Sequence, residues 1–131
     1  MEVKAISRHL RISPKKTRLV ARVIKGLNIR QAEAQLKFIP RKASYFLAKT
    51  LHSAVANAEH NCGLKKENLY IKTILVNEGT PLKRSMPRAF GRAYPIKKRS
   101  SHIEIVLDEI KPTARPTAVG KHKKEIPTEK L

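Results

Sequence analysis

Cysteine, aromatic residues and acidic residues are all scarce in this 131-residue sequence, and each shortage narrows the possible functions. The single cysteine, Cys62, cannot form an internal disulfide, which is typical of a reducing compartment. Because aromatic residues make up only 5% of the chain, stacking platforms for single-stranded nucleic acid are few. No apolar run reaches the ~20 residues of a membrane-spanning helix, and the N-terminus MEVKAISRHL lacks the apolar segment of a signal peptide. The sequence therefore predicts a protein that stays where it is made, away from membranes.

Positive charge is what the sequence has in excess. Its 29 Lys and Arg residues stand against 10 Asp and Glu residues, which gives a formal net charge of +19. Like charge at this density opposes compaction unless a polyanion neutralises it, so a nucleic acid is the predicted partner and an anionic membrane surface the weaker alternative.

Residues 3–32 and residues 79–103 contain many basic residues and no acidic residue. Charge runs of one sign predict two separate basic surfaces on one scaffold. The residues from these stretches that we expect to contact nucleic acid are Arg8, Arg11, Lys15, Lys16, Arg18, Arg22, Lys25, Lys83, Arg84, Lys97, Lys98 and Arg99.

The segment SPKKTRLVARVIKG, residues 13–26, predicts a helix with both ends marked. Ser13 can cap the first turn, Pro14 suits the first helical position, and Gly26 can end the helix. A helical wheel separates an apolar face, which we expect to pack, from a basic face, which we expect to meet a partner. The apolar face comprises Leu19, Val20, Val23 and Ile24, and the basic face comprises Lys15, Arg18, Arg22 and Lys25.

Two further helices are predicted downstream. One begins with a possible capping pair, Asn28 and Gln31, and stops at Pro40. The other spans residues 41–63 and is the longest element, with closely spaced alanines that predict packing across a sheet or between helices. Three aromatic residues of these helices are expected to pack in the core, namely Phe38, Tyr45 and Phe46.

Three segments predict strands: residues 3–12 as an edge strand, and LYIKTILVNEG and SHIEIVLDEI as an antiparallel pair. The connection between the last two is far longer than an ordinary hairpin loop, which marks it as functional. If both strands continue outward, residues 80–101 form a projecting ribbon of about ten residues per arm with its turn at Gly91. Near its tip, Phe90 and Tyr94 either contact bases or brace the ribbon.

Sites for catalysis or metal binding are not apparent in the sequence. His52, His60 and Cys62 match no zinc-ligand spacing, and no nucleophile, base and orienting group form a catalytic pattern. We therefore expect neither an enzyme nor a cofactor. Residues 1–111 predict one domain, while residues 112–131 predict a basic tail that is disordered or becomes ordered on RNA.

Three segments resemble the L22 (uL22) family of large-subunit ribosomal proteins, of bacterial or organellar type. They are RISPKKTRLVARVIKG, SAVANAEHN and KRSMPRAFGRAYPIKKRSSHIEIVL, and the resemblance extends over residues 3–107. The last motif is the most specific, with Arg88, Gly91 and Arg92 followed by His102 and alternating aliphatic residues.

The resemblance implies an α+β fold, with three helices packed on a small antiparallel sheet and a long protruding β-hairpin. It implies a structural role in the large ribosomal subunit, in contact with its RNA and with neighbouring proteins. The implied location is the cytoplasmic ribosome, although an organelle ribosome is not excluded. The hairpin would line the nascent-peptide exit tunnel, so that the nascent chain passes its tip, formed by Met86, Arg88, Phe90, Gly91, Arg92 and Tyr94.

An architectural DNA-binding protein is the main alternative, because such proteins also insert basic ribbon arms into a groove and bend the duplex. They usually dimerise to clamp DNA, however, and the sequence shows no clean self-complementary apolar surface.

Overall fold

A three-stranded antiparallel sheet with the strand order β1-β3-β2 organises the protein. The structure is a computed structural model and describes residues 2–110. The strands are β1 (Val3–Leu10), β2 (Leu69–Pro87) and β3 (Ala93–Glu109). The predicted antiparallel pairing of the last two strands is confirmed. The predicted tail, residues 112–131, lies outside the described residues.

Three helices pack with this sheet, α1 (Pro14–Ile24), α2 (Ile29–Phe38) and α3 (Lys42–Cys62), which confirms the predicted α+β fold. Gly63 ends α3 as expected: its φ is 63°, and its N–H donates to the carbonyl of Glu59 at 3.2 Å. A left-handed residue at this point lets the chain leave the helix toward β2.

The helix starts differ from prediction, because in the described residues neither Ser13 nor Asn28 caps its helix through the side chain. In α1 the carbonyl of Ser13, rather than its hydroxyl, accepts the N–H of Thr17 at 3.2 Å. The first N–H groups of α1 therefore have no side-chain acceptor from the cap residue, and they remain able to bind an external anion.

The packed face of α1 is also rotated from its predicted position. Val20 and Ile24 are buried as expected, whereas Leu19 and Val23 are about half exposed. The buried stripe instead includes Thr17 and Ala21, two small residues that let the helix approach its neighbours closely. A helical wheel that considers only large apolar side chains does not identify this stripe.

The core lies between the helices and one face of the sheet. The long helix α3 contributes Leu47, Leu51 and Ala54, all completely buried, along the predicted seam. In β1 and β3 the sheet contributes side chains at alternate positions, as the two-residue period requires, whereas in β2 a register shift between Ile71 and Thr73 interrupts the alternation. These sheet residues are Val3, Ala5, Ile71, Val76, Ile103, Ile105 and Leu107.

The hairpin leaves the body where β2 and β3 continue past the core. A one-residue shift in register between Gly79 and Leu82 marks a β-bulge, which re-aims the arm. Beyond it the strands pair as far as Pro87 and Ala93. Two-stranded pairing confirms the predicted ribbon, and from Gly79 to Pro87 an arm spans about 26 Å at ~3.3 Å per residue.

The turn at the tip uses two left-handed residues rather than Gly91 alone. Phe90 has φ 60° and Gly91 has φ 64°, and the N–H of Arg88 donates to the carbonyl of Arg92 at 2.8 Å. A non-glycine residue in this conformation is strained, which usually indicates a functional constraint.

Candidate RNA-binding surface

The two acid-free stretches of the sequence meet in one groove at the base of the hairpin, so the prediction of two separate basic surfaces is wrong at this point. The groove has a volume of about 900 Å³. Six of its side chains are basic, and within residues 2–110 none of its lining residues is acidic. The groove is lined by His9, Arg11, Ile12, Ser13, Lys16, Lys42, Thr80, Leu82, Lys97, Lys98, Arg99 and Ser100.

An irregular end of β1 brings the N-terminal part of the groove into position. The register of β1 shifts between Ser7 and Leu10, and His9 adopts φ 55°. The N–H of His9 donates to Nδ1 of His102 at 3.0 Å, which fixes this bulge to the central strand. The chain can then pass from the sheet edge to Ser13 and the start of α1.

The base of the hairpin forms the other wall of the groove, and its two strands approach each other closely there. Gly79 pairs with Ser100, and a Cβ atom at Gly79 would lie 2.5 Å from Oγ of Ser100 and 3.1 Å from Nε2 of His102. Oγ of Ser100 donates to the carbonyl of Thr80 at 2.8 Å. A larger residue at position 79 would therefore displace Ser100 or the arm, and glycine permits the close approach of the two strands here.

Helix electrostatics make the groove attractive to anions. Both α1 and α3 begin beside it, and neither has an acidic residue in its first turn. Basic residues stand there instead, Lys16 in α1 and Lys42 in α3, where they repel the partial positive charge of the helix N-terminus. A phosphate placed between them would satisfy both the lysines and the helix ends.

The basic side chains of the groove also lack partners of opposite charge. Among the ion pairs of residues 2–110, none involves the six groove cations. Lys83 and Lys97 even lie directly opposite each other on the two arms, an arrangement that destabilises a ribbon unless an anion intervenes. The charge of the arm therefore favours contact with a negatively charged partner.

Acidic residues are used instead to tie the scaffold together. Nζ of Lys72 lies 2.5 Å from Glu2 and 3.1 Å from Asp108, which links β2 to β3 and to the residue that precedes β1. The hydrogen bond from Lys72 holds the pKa of Asp108 at about 2, below its ordinary 3.8, and the hydrogen bonds to Glu2 and Asp108 raise the pKa of Lys72. Arg30 pairs with Glu67 and Lys66 with Glu33, which joins α2 to the loop before β2.

The basic face of α1 continues from the groove along the edge of the sheet. Lys15, Arg22 and Lys25 are exposed there as predicted. Arg18 has a second role, because its Nε and Nη2 atoms donate to the carbonyl of Val76 at 3.1 and 3.0 Å. This residue anchors α1 to β2, so its contribution cannot be read as nucleic-acid binding alone.

The remaining predicted contact residues occupy different places. Lys83 and Arg84 project from the exposed arm. Arg8 lies apart from the groove, in a smaller pocket of about 330 Å³ that it shares with Asn77 and Glu104. The structure therefore brings Arg11, Lys16, Lys97, Lys98 and Arg99 together, but not Arg8.

The predicted tip residues, Met86, Arg88, Phe90, Gly91, Arg92 and Tyr94, are all exposed. Phe90 is 98% exposed and Tyr94 is 64% exposed, so the alternative that Phe90 braces the ribbon is wrong. A strained, fully exposed phenylalanine beside two arginines is suited to contact with a partner.

Sequence reasoning missed two features of the surface. Lys42 was not expected at the groove, although its place in the first turn of α3 was a usable signal. Phe38 and Tyr45 were expected to pack, but they are 86% and 66% exposed, and only Phe46 is partly buried. Tyr45 lies off the seam of Ala43 and Leu47, and Phe38 lies off the buried stripe of α2, which comprises Ile29, Ala32 and Leu36.

Metal-binding clusters and membrane-spanning helices are absent from the described residues 2–110. In the part of the chain that the structure describes, no three His, Cys, Asp or Glu side chains are grouped so that they could hold a metal ion. Of the helices between residues 2 and 110, none has both the length and the apolar character needed to cross a membrane.

Comparison with known proteins gives a consistent result. The family model described as ribosomal protein L22p/L17e matches residues 5–108. The large ribosomal subunit protein uL22 of Acholeplasma laidlawii is 50% identical over 109 residues, 83% of this chain and 98% of that protein. The protein of the same name from Thermoanaerobacter pseudethanolicus is 49% identical over the same shares of both chains.

These matches give no support to the alternative of an architectural DNA-binding protein. The match of the family model spans the sheet, the three helices and the whole hairpin. From this extent, and from identity near 50% over nearly the full length of its relatives, the chain belongs to the L22p/L17e family of ribosomal proteins.

Proposed function

We propose that the protein is a structural constituent of the large ribosomal subunit, bound to its RNA through the groove, the basic face of α1 and the hairpin arms. The observation that carries this proposal is the groove, where cations from three parts of the chain converge without acidic partners among the described residues. A-form RNA is recognised mainly through its backbone and shape, and a phosphate-binding groove suits that mode. The relatives named above are proteins of the same subunit.

We further propose that the hairpin tip lines the nascent-peptide exit tunnel. The arm has no packed core of its own, its flanks are basic, and its tip presents Arg88 and Arg92 farthest along the ribbon from the body. Such an arm can pass between RNA helices where a domain cannot. Met86, Phe90, Gly91 and Tyr94 would complete the surface that the nascent chain meets.

The wider proposal concerns organisation and setting. Residues 1–111 would act as one RNA-binding domain that includes the hairpin at about residues 80–101. The role is structural rather than catalytic, and neighbouring proteins of the subunit would be further partners. The proposed setting is the cytoplasmic ribosome.

Neutralising the groove tests the RNA-binding proposal. Replacing Lys97 and Lys98 with Gln should lower incorporation into large subunits and weaken binding to large-subunit RNA. Each lost phosphate contact should reduce the slope of log K against log salt by about 0.7–0.9. The matched control replaces Lys4 and Lys65, which are exposed lysines outside the groove. Equal incorporation and equal slopes for both double variants would refute the groove as the RNA site.

Substitution at the tip tests the tunnel proposal separately. Arg88→Ala with Arg92→Ala should enter subunits at near-normal yield, yet alter stalling by tunnel-sensing peptides or sensitivity to tunnel-bound drugs. The groove variant should show the reverse pattern. Unchanged stalling and unchanged drug sensitivity in the tip variant would make the tip a passive RNA anchor.

A further inference from the structure

We infer that the corner between α2 and α3 is a second RNA site, which holds unpaired bases of the large-subunit RNA by stacking on Phe38 and Tyr45. This inference rests on the proposed ribosomal function and names a contact that the groove does not supply. It assigns a ligand chemistry, an unstacked nucleobase with its phosphate, to two aromatic side chains.

The exposure of these rings is the first observation. Phe38 is the most exposed large apolar residue of the body, and Tyr45 follows it. Both lie on the body of the protein, apart from the exposed rings of Phe90 and Tyr94 at the hairpin tip. Exposed apolar surface of this kind usually marks a contact with a partner.

Hydrogen bonds fix the backbone of the corner, and one of its two rings, that of Tyr45, packs against a neighbour. The N–H of Arg41 donates to the carbonyl of Ile39 at 2.8 Å, and Oγ of Ser44 donates to the same carbonyl at 2.9 Å. The ring of Tyr45 is held edge-to-face against Phe46, with centroids 5.6 Å apart. Little conformational freedom is then lost when a base stacks, which favours binding.

Charge identifies the partner. Residues 34–58 form a third stretch without acidic residues, and all four of its cations are exposed. On α3 the positions of Lys42, Tyr45 and Lys49 follow the i, i+3, i+7 spacing of one helix face, so the ring lies between two lysines. The four cations are Lys37, Arg41, Lys42 and Lys49.

This combination selects single-stranded RNA over a protein surface. Cations track the backbone while rings take the bases, as in proteins that bind single strands without reading their sequence. A duplex hides its base faces, whereas loops and bulges present them. Lys42 also lines the groove, so the corner continues the proposed RNA surface rather than standing apart from it.

Substitutions in the full chain distinguish stacking from charge. Phe38→Leu and Tyr45→Leu remove the ring but keep apolar surface, and each should weaken binding to large-subunit RNA about tenfold. The salt slope should stay unchanged, because no charge is lost. Phe38→Tyr keeps a ring and should restore wild-type affinity. Unchanged thermal melting would show that the variants remain folded.

Fluorescence gives a direct measure of stacking. The chain has no tryptophan, so Phe38→Trp introduces a single reporter at an exposed position. A single-stranded oligoribonucleotide should quench its emission, and an RNA duplex of equal length should quench it much less.

The outcomes separate the inference from the proposed function. If the Leu variants bind large-subunit RNA like wild type and the tryptophan is not quenched, while the groove variant loses binding, the corner inference is wrong and the function stands. If the Leu variants keep their RNA affinity but fail to enter subunits, the corner contacts a protein and the inference is again wrong. If the unmodified protein neither binds this RNA nor enters subunits, the proposed function itself fails.

Discussion

The body and the hairpin arm of this protein differ in how far their side chains are buried, although the same two strands run through both. In the body, β2 and β3 bury Ile71, Ile103 and Ile105 against the helices. Past the bulge near Gly79 the same strands have almost every side chain exposed on both faces. A two-stranded ribbon of this kind is marginal in water.

The contrast shows which part of the chain is specified by folding and which by the partner. Body residues are constrained by a shared core, whereas arm residues contribute no core and carry charges that oppose each other, as Lys83 and Lys97 do. We therefore expect the arm to be stabilised by contact with its partner rather than by packing within the protein. Substitutions in the body and in the arm should therefore change the stability of the protein by very different amounts.

The largest effect should come from the core. Leu47→Ala removes a completely buried side chain of α3 and should lower the free energy of unfolding by about 2–5 kcal/mol. Leu82→Ala in the arm removes the same atoms from a half-exposed site and should cost less than about 0.5 kcal/mol. Urea unfolding measures both. Equal losses would mean that the arm shares the core.

The junction should show an intermediate effect. Gly79→Ala places a Cβ atom 2.5 Å from Oγ of Ser100, so the arm must shift, at a cost of about 1–3 kcal/mol. Adding Ser100→Ala removes the clashing oxygen and should recover much of the loss. A double-mutant cycle by thermal melting tests this, and strictly additive losses would contradict the steric explanation.

Removing the arm should change the body little. Excising residues 83–99 and closing the ends with a short glycine turn should leave cooperative unfolding intact, because those residues bury no apolar face in the core. Circular dichroism during heating measures this. A broad, non-cooperative melt would show that the hairpin stabilises the sheet.

The smallest effect concerns the far end of the sheet and is lost in acid. Because Lys72 lowers the pKa of Asp108 in the folded protein, this carboxylate stabilises the fold above pH 3.8, and that stabilisation is lost as the pH falls toward 2. Wild type should therefore melt at a higher temperature than Asp108→Asn at pH 5, and this difference in melting temperature should shrink at pH 2.5. A difference between them that persists undiminished at pH 2.5 would contradict this linkage.

Sequence patterns predicted the body well because its elements obey strong periodicities. The seam of α3, the alternation of β3 and the stop at Gly63 each follow from one dominant local constraint. The hairpin could be predicted from its length and lack of apolar period, and the net charge predicted a nucleic-acid partner. The family resemblance supplied the ribosome and the exit tunnel.

What the sequence could not supply depends on tertiary geometry. The rotation of α1 that exposes Leu19 depends on small residues whose packing no wheel weighs. The convergence of Arg11 with Lys98 depends on two bulges, which have no period. The exposure of Phe38, by contrast, follows from its place on α2, because Phe38 lies off the stripe of Ile29, Ala32 and Leu36.

Hydrogen exchange in the free protein and in purified large subunits compares body and arm most directly. In the free protein, amides of the paired arm between Leu82 and Ile96 should exchange quickly, while those of Ile103 to Leu107 should be strongly protected. In the subunit, the arm should become as protected as the body, because RNA then neutralises and encloses it. Arm amides that are already protected to the level of the core in the free protein, or that remain unprotected in the subunit, would contradict the conclusion that the arm is completed by its partner.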